Sequence, residues 1–297
     1  MGCTYSIVAY GDQAQPVREY IRAAFDEIDR IDRLMSHYKP DSPLSQLNRT
    51  AAQQAVRVDD ELFDFIAECL RYSRASDGAF DITVGPLMKA WGFFHGEGRL
   101  PTAVELRKAR ANIGYQYVLL DEGARTIRFA RAGLSLDLGG IAKGYAVDRA
   151  GAMLKQRGLR DALVNACGST MYAMGSDPTL GIGWAVQVRD PLNENKTALT
   201  VKLKDQALSI SGSYEKFFEL KGKRYAHVMN PRTGLPVQGV LSVAVITDTG
   251  LAGDALDNVF YVQGAAWSRK HRARLQAQEV FFFLPISDHR WRLTRFN

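Results

Sequence analysis

Cysteine is scarce in this 297-residue chain: Cys3, Cys69 and Cys167 are odd in number and far apart. That excludes a dense disulfide framework and any Cys-x-x-Cys metal site. Cys69 lies in a helical apolar stripe and reads as a core residue. No run of about 18 apolar residues occurs, so no segment is expected to span a membrane. No secretory leader is read either, because Met1-Gly2-Cys3-Thr4-Tyr5-Ser6 passes directly into strand-like sequence. Internal repeats, low-complexity tracts and Pro/Ser-rich linkers are missing, which predicts one domain over residues 1–297. Charge of one sign is modest, a formal +6, with much of the excess between Arg269 and Arg295. Without interleaved aromatics or a binding module, that excess does not make nucleic acid an expected partner.

What is present suits an ordinary globular protein with a sizeable core, at 46% hydrophobic and 24% charged residues. Val17, Ile21, Phe25, Ile28, Ile31 and Met35 recur at helical spacing and predict a long amphipathic helix over 16–38. A second helix is expected over 59–75, with Leu62, Ile66, Cys69 and Leu70 inward and Gly78 as its stop. Further helical segments are read in 82–93, 102–113, 141–156 and 252–262. Strands are expected at 126–130 and 134–137 about an Arg131-Ala132-Gly133 turn. Others are expected at 162–166, 184–189, 198–204, 241–247, 280–284 and 291–296. Strands and helices are mixed without strict alternation, so the expected class is α+β rather than a doubly wound sheet.

Four segments could carry chemistry. Leu136-Asp137-Leu138-Gly139-Gly140-Ile141-Ala142-Lys143-Gly144-Tyr145-Ala146-Val147-Asp148 reads as a strand, a glycine pair and the first turns of a helix. Amides at a helix start lack internal partners and favour negative charge, and glycines let an anion approach the main chain. Lys143 adds a cation. The spacing fits neither dinucleotide-binding nor P-loop patterns. Either an anion seat or a tight turn with a surface lysine satisfies this segment. His227 ends a short strand before Asn230-Pro231 and Thr233-Gly234 turns, as a proton acceptor or as a structural histidine. Upstream, Ser209-Ile210-Ser211-Gly212-Ser213-Tyr214-Glu215 reads as a small-residue turn that could let a ligand pass close to the backbone. Asp254 and Asn258, four apart, share a helix face and could bind a hard cation; a dipole-favoured acid near a helix start is the plainer alternative. Ser76-Asp77-Gly78-Ala79-Phe80-Asp81-Ile82-Thr83 puts a carboxylate beside an aromatic on a turn, suited to a ribose, a heterocycle edge or an ordinary loop.

Together these segments resemble the ApbE-type flavin transferases, the FAD:protein FMN transferases. The likeness runs through nearly the whole chain in order: Met1-Gly2-Cys3-Thr4, Met35-Ser36-His37-Tyr38, Ser42-Pro43-Leu44-Ser45-Gln46-Leu47-Asn48, Gly78 to Leu87, Asp137 to Ala146, His227 to Pro236, and Asp254-Ala255-Leu256. The resemblance implies a T-fold-related α+β domain with mixed or antiparallel sheets flanked by helices. It implies cleavage of FAD at its pyrophosphate, passage of FMN to a threonine or serine hydroxyl of an acceptor flavoprotein, and release of AMP. By the same resemblance Met1, Tyr38, Ala79, Phe80, Asp81, Asp137, Lys143 and Val228 hold FAD. Mg²⁺ is bound by the Gly140 carbonyl, a main-chain oxygen near Leu251, Asp254 and Asn258, and His227 is the base.

Three departures from the family pattern stand out. Asn258 replaces a threonine or serine, although an amide oxygen can still bind Mg²⁺. Asn165-Ala166-Cys167-Gly168-Ser169 replaces Asn-x-Gly-Gly-Asp, and Ile210 sits where a small hydroxyl residue is common. Two other activities therefore stay open beside transfer: an FAD pyrophosphatase releasing FMN and AMP, and a non-catalytic FAD-binding protein. The resemblance implies work at the bacterial cell envelope, with the cytoplasm as the alternative.

Overall fold

The structure, a computed structural model, describes residues 2–94 and 98–297. Its elements begin with β1 (Tyr5–Tyr10), α1 (Ala14–Met35), α2 (Pro43–Thr50), β2 (Val56–Arg57), α3 (Asp60–Ala75), α4 (Gly85–Ala90) and α5 (Ala103–Ala111). A 3₁₀ turn (Tyr115–Tyr117) leads to β3 (Val118–Asp121), β4 (Thr126–Phe129), α6 (Ala142–Gln156), β5 (Asp161–Ala166) and β6 (Thr170–Met174). Next come β7 (Trp184–Asp190), β8 (Asn193–Leu203), β9 (Gln206–Gly212), β10 (Phe217–Leu220), β11 (Lys223–Ala226), β12 (Met229–Asn230) and β13 (Leu235–Pro236). The chain ends with β14 (Ser242–Thr247), α7 (Gly250–Gln263), α8 (Ala265–His271), β15 (Glu279–Ser287) and β16 (Arg290–Phe296).

Two compact units divide these elements. The sheet unit comprises residues 1–32, 141–212 and 239–297. The loop unit comprises residues 33–140 and 213–238.

The sheet unit is built on a seven-stranded sheet in the order β1-β5-β6-β9-β14-β15-β16, antiparallel at every pairing. Helices α6 and α7 pack on the sheet. The hairpin β7–β8 buries Trp184, Val186, Val188 and Leu203 in a core with Leu208, Ala244, Phe281 and Phe283. Strand β14 is therefore buried at every residue, which explains its continuous β-branched and small apolar sequence. The segment read as a small-residue turn at 209–215 begins as strand: Ser209, Ile210, Ser211 and Gly212 lie in β9, between β6 and β14. Small residues suit that place because α7 approaches closely. A Cβ on Gly253 would stand 2.3 Å from Ser209 Oγ.

The loop unit has little sheet: β2-β4-β3 and the two-stranded pairs β10–β11 and β12–β13. Helix α3 starts at Asp59, whose carboxylate accepts from Leu62 N–H, and α5 starts at a Thr102–Glu105 capping box. The expected strand at 134–137 forms no ladder. Its backbone bonds go elsewhere: the Asn48 side chain donates to Leu136 O at 2.9 Å and accepts from Leu136 N–H at 2.7 Å. An apolar cluster of Leu87, Trp91, Phe93, Ala109, Ile113 and Met229, with Phe218 and Tyr225 against it, fills the space beneath the loops.

Candidate functional site

In the sheet unit, α6 and α7 complete each other's starts. The Gly144 N–H in the first turn of α6 donates to Asp254 Oδ2 at 2.6 Å, and the Thr170 hydroxyl donates to Asp254 Oδ1. In return, Asp148 of α6 accepts from Gly250 N–H at 2.6 Å and Leu251 N–H at 2.9 Å, the first amides of α7. Each helix thus supplies the carboxylate that satisfies donors its partner leaves unpaired. This exchange requires contact of main chain with main chain. A Cβ on Gly144 would stand 2.1 Å from the Gly250 carbonyl oxygen.

Burial pushes Asp148 up to about 7, against the pull of its two amide donors, with the negative charge of Asp254 adding to the rise. Asp254, 3% exposed, is also raised by burial, opposed by Lys143, Thr170 and Gly144. Its negative field reaches Tyr5, whose phenol is pushed up by burial and by that charge.

Lys143 Nζ donates to Ser169 Oγ, in the turn that joins β5 to β6. Asn165 Oδ1 accepts from Gly168 N–H at 2.8 Å to close this turn. Cys167 there is left-handed, φ 47°, and Gly168 follows at φ 73°. A left-handed cysteine costs on the order of 1 kcal/mol. It is tied on two sides: its N–H donates to Thr4 O at 3.0 Å, and its sulfur forms a disulfide with Cys3, Cα atoms 5.8 Å apart. The cysteine count had left no framework to expect, and a separation of 164 residues hid this single bridge.

A divalent ion suits this chemistry. Among the described residues no three His, Cys, Asp or Glu side chains gather to hold a metal, so an ion here would draw in part on neutral oxygens, as Mg²⁺ does beside a phosphate ligand. The buried Asp254 carboxylate is an anion that burial disfavours and a cation would favour. The Ser209 hydroxyl, close enough to act on Asp254, is buried without a hydrogen bond of ordinary geometry.

In the loop unit, side chains bonded to carbonyls knit the expected segments together. Arg232, in the turn after His227, donates to Asp77 O at 2.7 Å and Ser76 O at 3.3 Å. Asp137 N–H donates to Ile82 O at 2.7 Å, joining the start of the glycine-pair segment to the Ala79–Thr83 stretch. Asp81 is consumed locally: Oδ1 accepts from Thr83 N–H and Oγ1–H at 2.8 and 2.7 Å, Oδ2 from Tyr115 N–H at 3.0 Å. Burial nonetheless raises its carboxyl above the ordinary range. Ala79, Phe80 and Val228 turn their side chains into the core, so their main chains are what they could offer a ligand.

Tyr38 is 51% exposed, its ring 4.0 Å from that of His37, which in turn lies 4.6 Å from Phe94. His37 Nδ1 is 3.4 Å from Asp137 Oδ1, an oxygen that also accepts from Gly139 N–H at 2.8 Å. Burial lowers the His37 pKa, against the opposing pull of Asp137. Gly140 is exposed. His227 is half-buried, edge-on to Phe93 at 6.5 Å. Both its N–H, at 2.9 Å, and its Nδ1, at 3.2 Å, reach Lys216 O. A carbonyl only accepts, so Nδ1 carries a proton, and in the neutral ring Nε2 then carries the lone pair.

The expected residues therefore fall into two sets, Lys143, Leu251, Asp254 and Asn258 in the sheet unit and Tyr38, Ala79, Phe80, Asp81, Asp137, Gly140, His227 and Val228 in the loop unit. Met1 lies outside the described residues. Sequence reasoning missed Asp148, Thr170, His37 and Arg232. Asp148, His37 and Arg232 lie inside or beside segments singled out above without a role assigned to them, and Thr170 lies outside them.

A model of the ApbE family matches residues 1–282. A Salmonella typhimurium protein named FAD:protein FMN transferase is 32% identical over 272 residues, 89% of this chain and 77% of the relative. The crystal structure of the ApbE protein of Thermotoga maritima is 30% identical, with a TM-score of 0.90 over 100% of this chain and 94% of that one. The apo flavinyl transferase ApbE of Pseudomonas stutzeri, also 30% identical, gives 0.86 over 100% and 92%. A family match over residues 1–282 and an α+β fold shared with solved members lead to one conclusion: the chain belongs to the ApbE family.

Proposed function

We propose that the chain is a flavin transferase that moves FMN from FAD to a threonine or serine hydroxyl of a target flavoprotein, requires Mg²⁺ and releases AMP. Its family membership and the name FAD:protein FMN transferase carried by its relatives support transferase activity. The observation that carries the finer reading is the start of α6, where a lysine and helix-terminal amides stand beside a buried carboxylate suited to a divalent ion. Seating and polarising a diphosphate is the demand that FAD cleavage makes.

In this reading, His227 Nε2 takes the proton of the acceptor hydroxyl. The hydroxyl oxygen bonds to the FMN phosphorus, and the bond from that phosphorus to the bridging oxygen breaks. AMP leaves with the electron pair. Lys143 and the first amides of α6 stabilise the phosphoryl oxygens as charge grows on them. Bound Mg²⁺, held by the Gly140 carbonyl, a main-chain oxygen near Leu251, Asp254 and Asn258, would supply the counter-charge to the diphosphate. Tyr38 and Asp137, with Met1, Asp81, Val228 and the main chain of Ala79 and Phe80, would hold FAD. The whole of residues 1–297 would act as one catalytic domain. The disulfide Cys3–Cys167 supports an oxidising compartment, hence the cell envelope.

The test is an incubation with FAD, Mg²⁺ and an acceptor flavoprotein domain. Flavin fluorescence on the acceptor in a denaturing gel, with AMP released in equal amount, is expected. AMP with only free FMN would make the protein a pyrophosphatase, and intact bound FAD would make it a binding protein.

A further inference from the structure

Asn258 sits in α7 one turn after Asp254, and its amide is held in one orientation. Nδ2 donates to the Asp254 main-chain carbonyl at 2.8 Å and to Asp257 Oδ1 at 2.9 Å. An amide nitrogen has two protons, and both are engaged. Rotating the amide by half a turn would set its oxygen against two acceptors, so the network fixes which end is which. The only atom this side chain can then offer a cation is Oδ1.

The first of these bonds is one a hydroxyl side chain also makes, back to the carbonyl four residues earlier. A hydroxyl has a single proton, and that bond uses it, leaving oxygen lone pairs for an ion. An amide has a second proton that needs an acceptor of its own. Asp257, 2% exposed, supplies it. Neighbours in sequence on a helix do not ordinarily face each other, so this contact is a specific feature of the pair.

We propose that Asp257 is a positioning residue for the metal site: by engaging the second amide proton of Asn258 it holds Oδ1 as the cation-facing atom. Asn258 thereby does the work of a hydroxyl ligand, and Asp257 makes the exchange possible without touching the ion. The proposal rests on the reading that Asp254 and Asn258 hold a divalent cation, and it goes further by naming the residue that makes Asn258 competent.

The test is Mn²⁺ binding to the whole chain, read by loss of the free-ion electron paramagnetic resonance signal, with thermal midpoints recorded alongside. Asp257→Ala is expected to weaken Mn²⁺ binding at least about tenfold, the usual cost of losing a residue that orients a ligand. Asp257→Asn keeps an acceptor oxygen without the charge and is expected to stay within about threefold of the parent. In an Asn258→Thr background, Asp257→Ala is expected to have no effect beyond about twofold, because a hydroxyl needs no second acceptor. Equal losses for Asp257→Ala in both backgrounds, or for Asp257→Asn and Asp257→Ala, would overturn the positioning role. Asp254→Ala separates the underlying reading: undiminished Mn²⁺ binding there would remove the metal site itself, whereas loss there with Asp257→Ala unaffected would remove only the role of Asp257.

Discussion

The two units hold their candidate residues in place by different means. In the sheet unit, the groups around Lys143 and Asp254 are set by two helix starts that cap one another across glycines, through one buried and one half-buried carboxylate. Regular elements fix each position, and the dominant quantity is charge. In the loop unit, Tyr38, Asp137 and His227 stand on irregular chain whose shape is kept by side chains bonded to carbonyls and by an aromatic cluster. The dominant quantities there are ring surface and directed hydrogen bonds. Under the proposed function, the sheet unit would meet the phosphates and the cation, and the loop unit would supply rings and a proton acceptor. A substitution should therefore fail differently in each: stability and charge go together in the sheet unit, while chemistry separates from stability in the loop unit.

The sharpest division comes from His227→Ala. Labelling of the acceptor should fall by about 10²–10⁴-fold, the ordinary contribution of a base, while FAD binding and the thermal midpoint stay near the parent. Flavin transfer timed on a denaturing gel beside an FAD titration checks it, and undiminished labelling would strip His227 of its role. Gly144→Ala tests the opposite case. The added methyl meets the Gly250 carbonyl, a backbone atom that cannot turn aside, so stability should drop by about 3 kcal/mol in urea denaturation, the upper part of the range for overpacking, with activity lost alongside. A midpoint unchanged from the parent would show that α6 and α7 can separate at no cost.

Third in size is the disulfide. Cys3→Ser combined with Cys167→Ser should cost about 2–4 kcal/mol, because a bridge closing so long a loop restricts the unfolded chain. Thermal unfolding with and without a dithiol reductant measures it; a parent protein indifferent to reductant would contradict the prediction. The smallest effect is in acid. Arg30, and then Arg149, hold the Glu27 carboxyl below its ordinary 4.5, with burial opposing. A depressed folded pKa gives stability that is fully present above 4.5 and lost as pH falls through the lower folded value. Glu27→Gln should flatten that acid loss, so that urea midpoints of parent and variant converge as pH falls below 4.5. Parallel curves would mean that Glu27 is unshifted.

Legibility in the sequence also differed between the units. Helices α1 and α3 were readable because their apolar residues repeat at the helical period, and the structure buries those positions, Ile28, Ile31, Leu62, Ile66 and Cys69 among them. Strand β14 was readable from its β-branched run. Strand β9 was not: Ser209, Ser211 and Gly212 have turn composition, and only the close approach of α7 explains small residues in the middle of a sheet. The reverse error befell 134–137, whose apolar alternation suits a strand but whose partner is the Asn48 side chain, 88 positions away. The partners of the candidate site residues were equally hidden. Nothing near Asp254 in sequence announces Gly144 or Thr170, and nothing near His227 announces the Lys216 carbonyl that sets its tautomer.

The sequence by itself determined the class of fold, the principal helices and strands, and the family, because periodicity and ordered motifs are local properties of a chain. Tertiary structure alone decided what each of those residues is bonded to: the exchange of caps between α6 and α7, the Cys3–Cys167 bridge, the orientation of the Asn258 amide and the tautomer of His227. The reason is physical. A carboxylate, a sulfur or an amide chooses its partner by distance in space, and these partners lie as much as 164 residues apart along the chain.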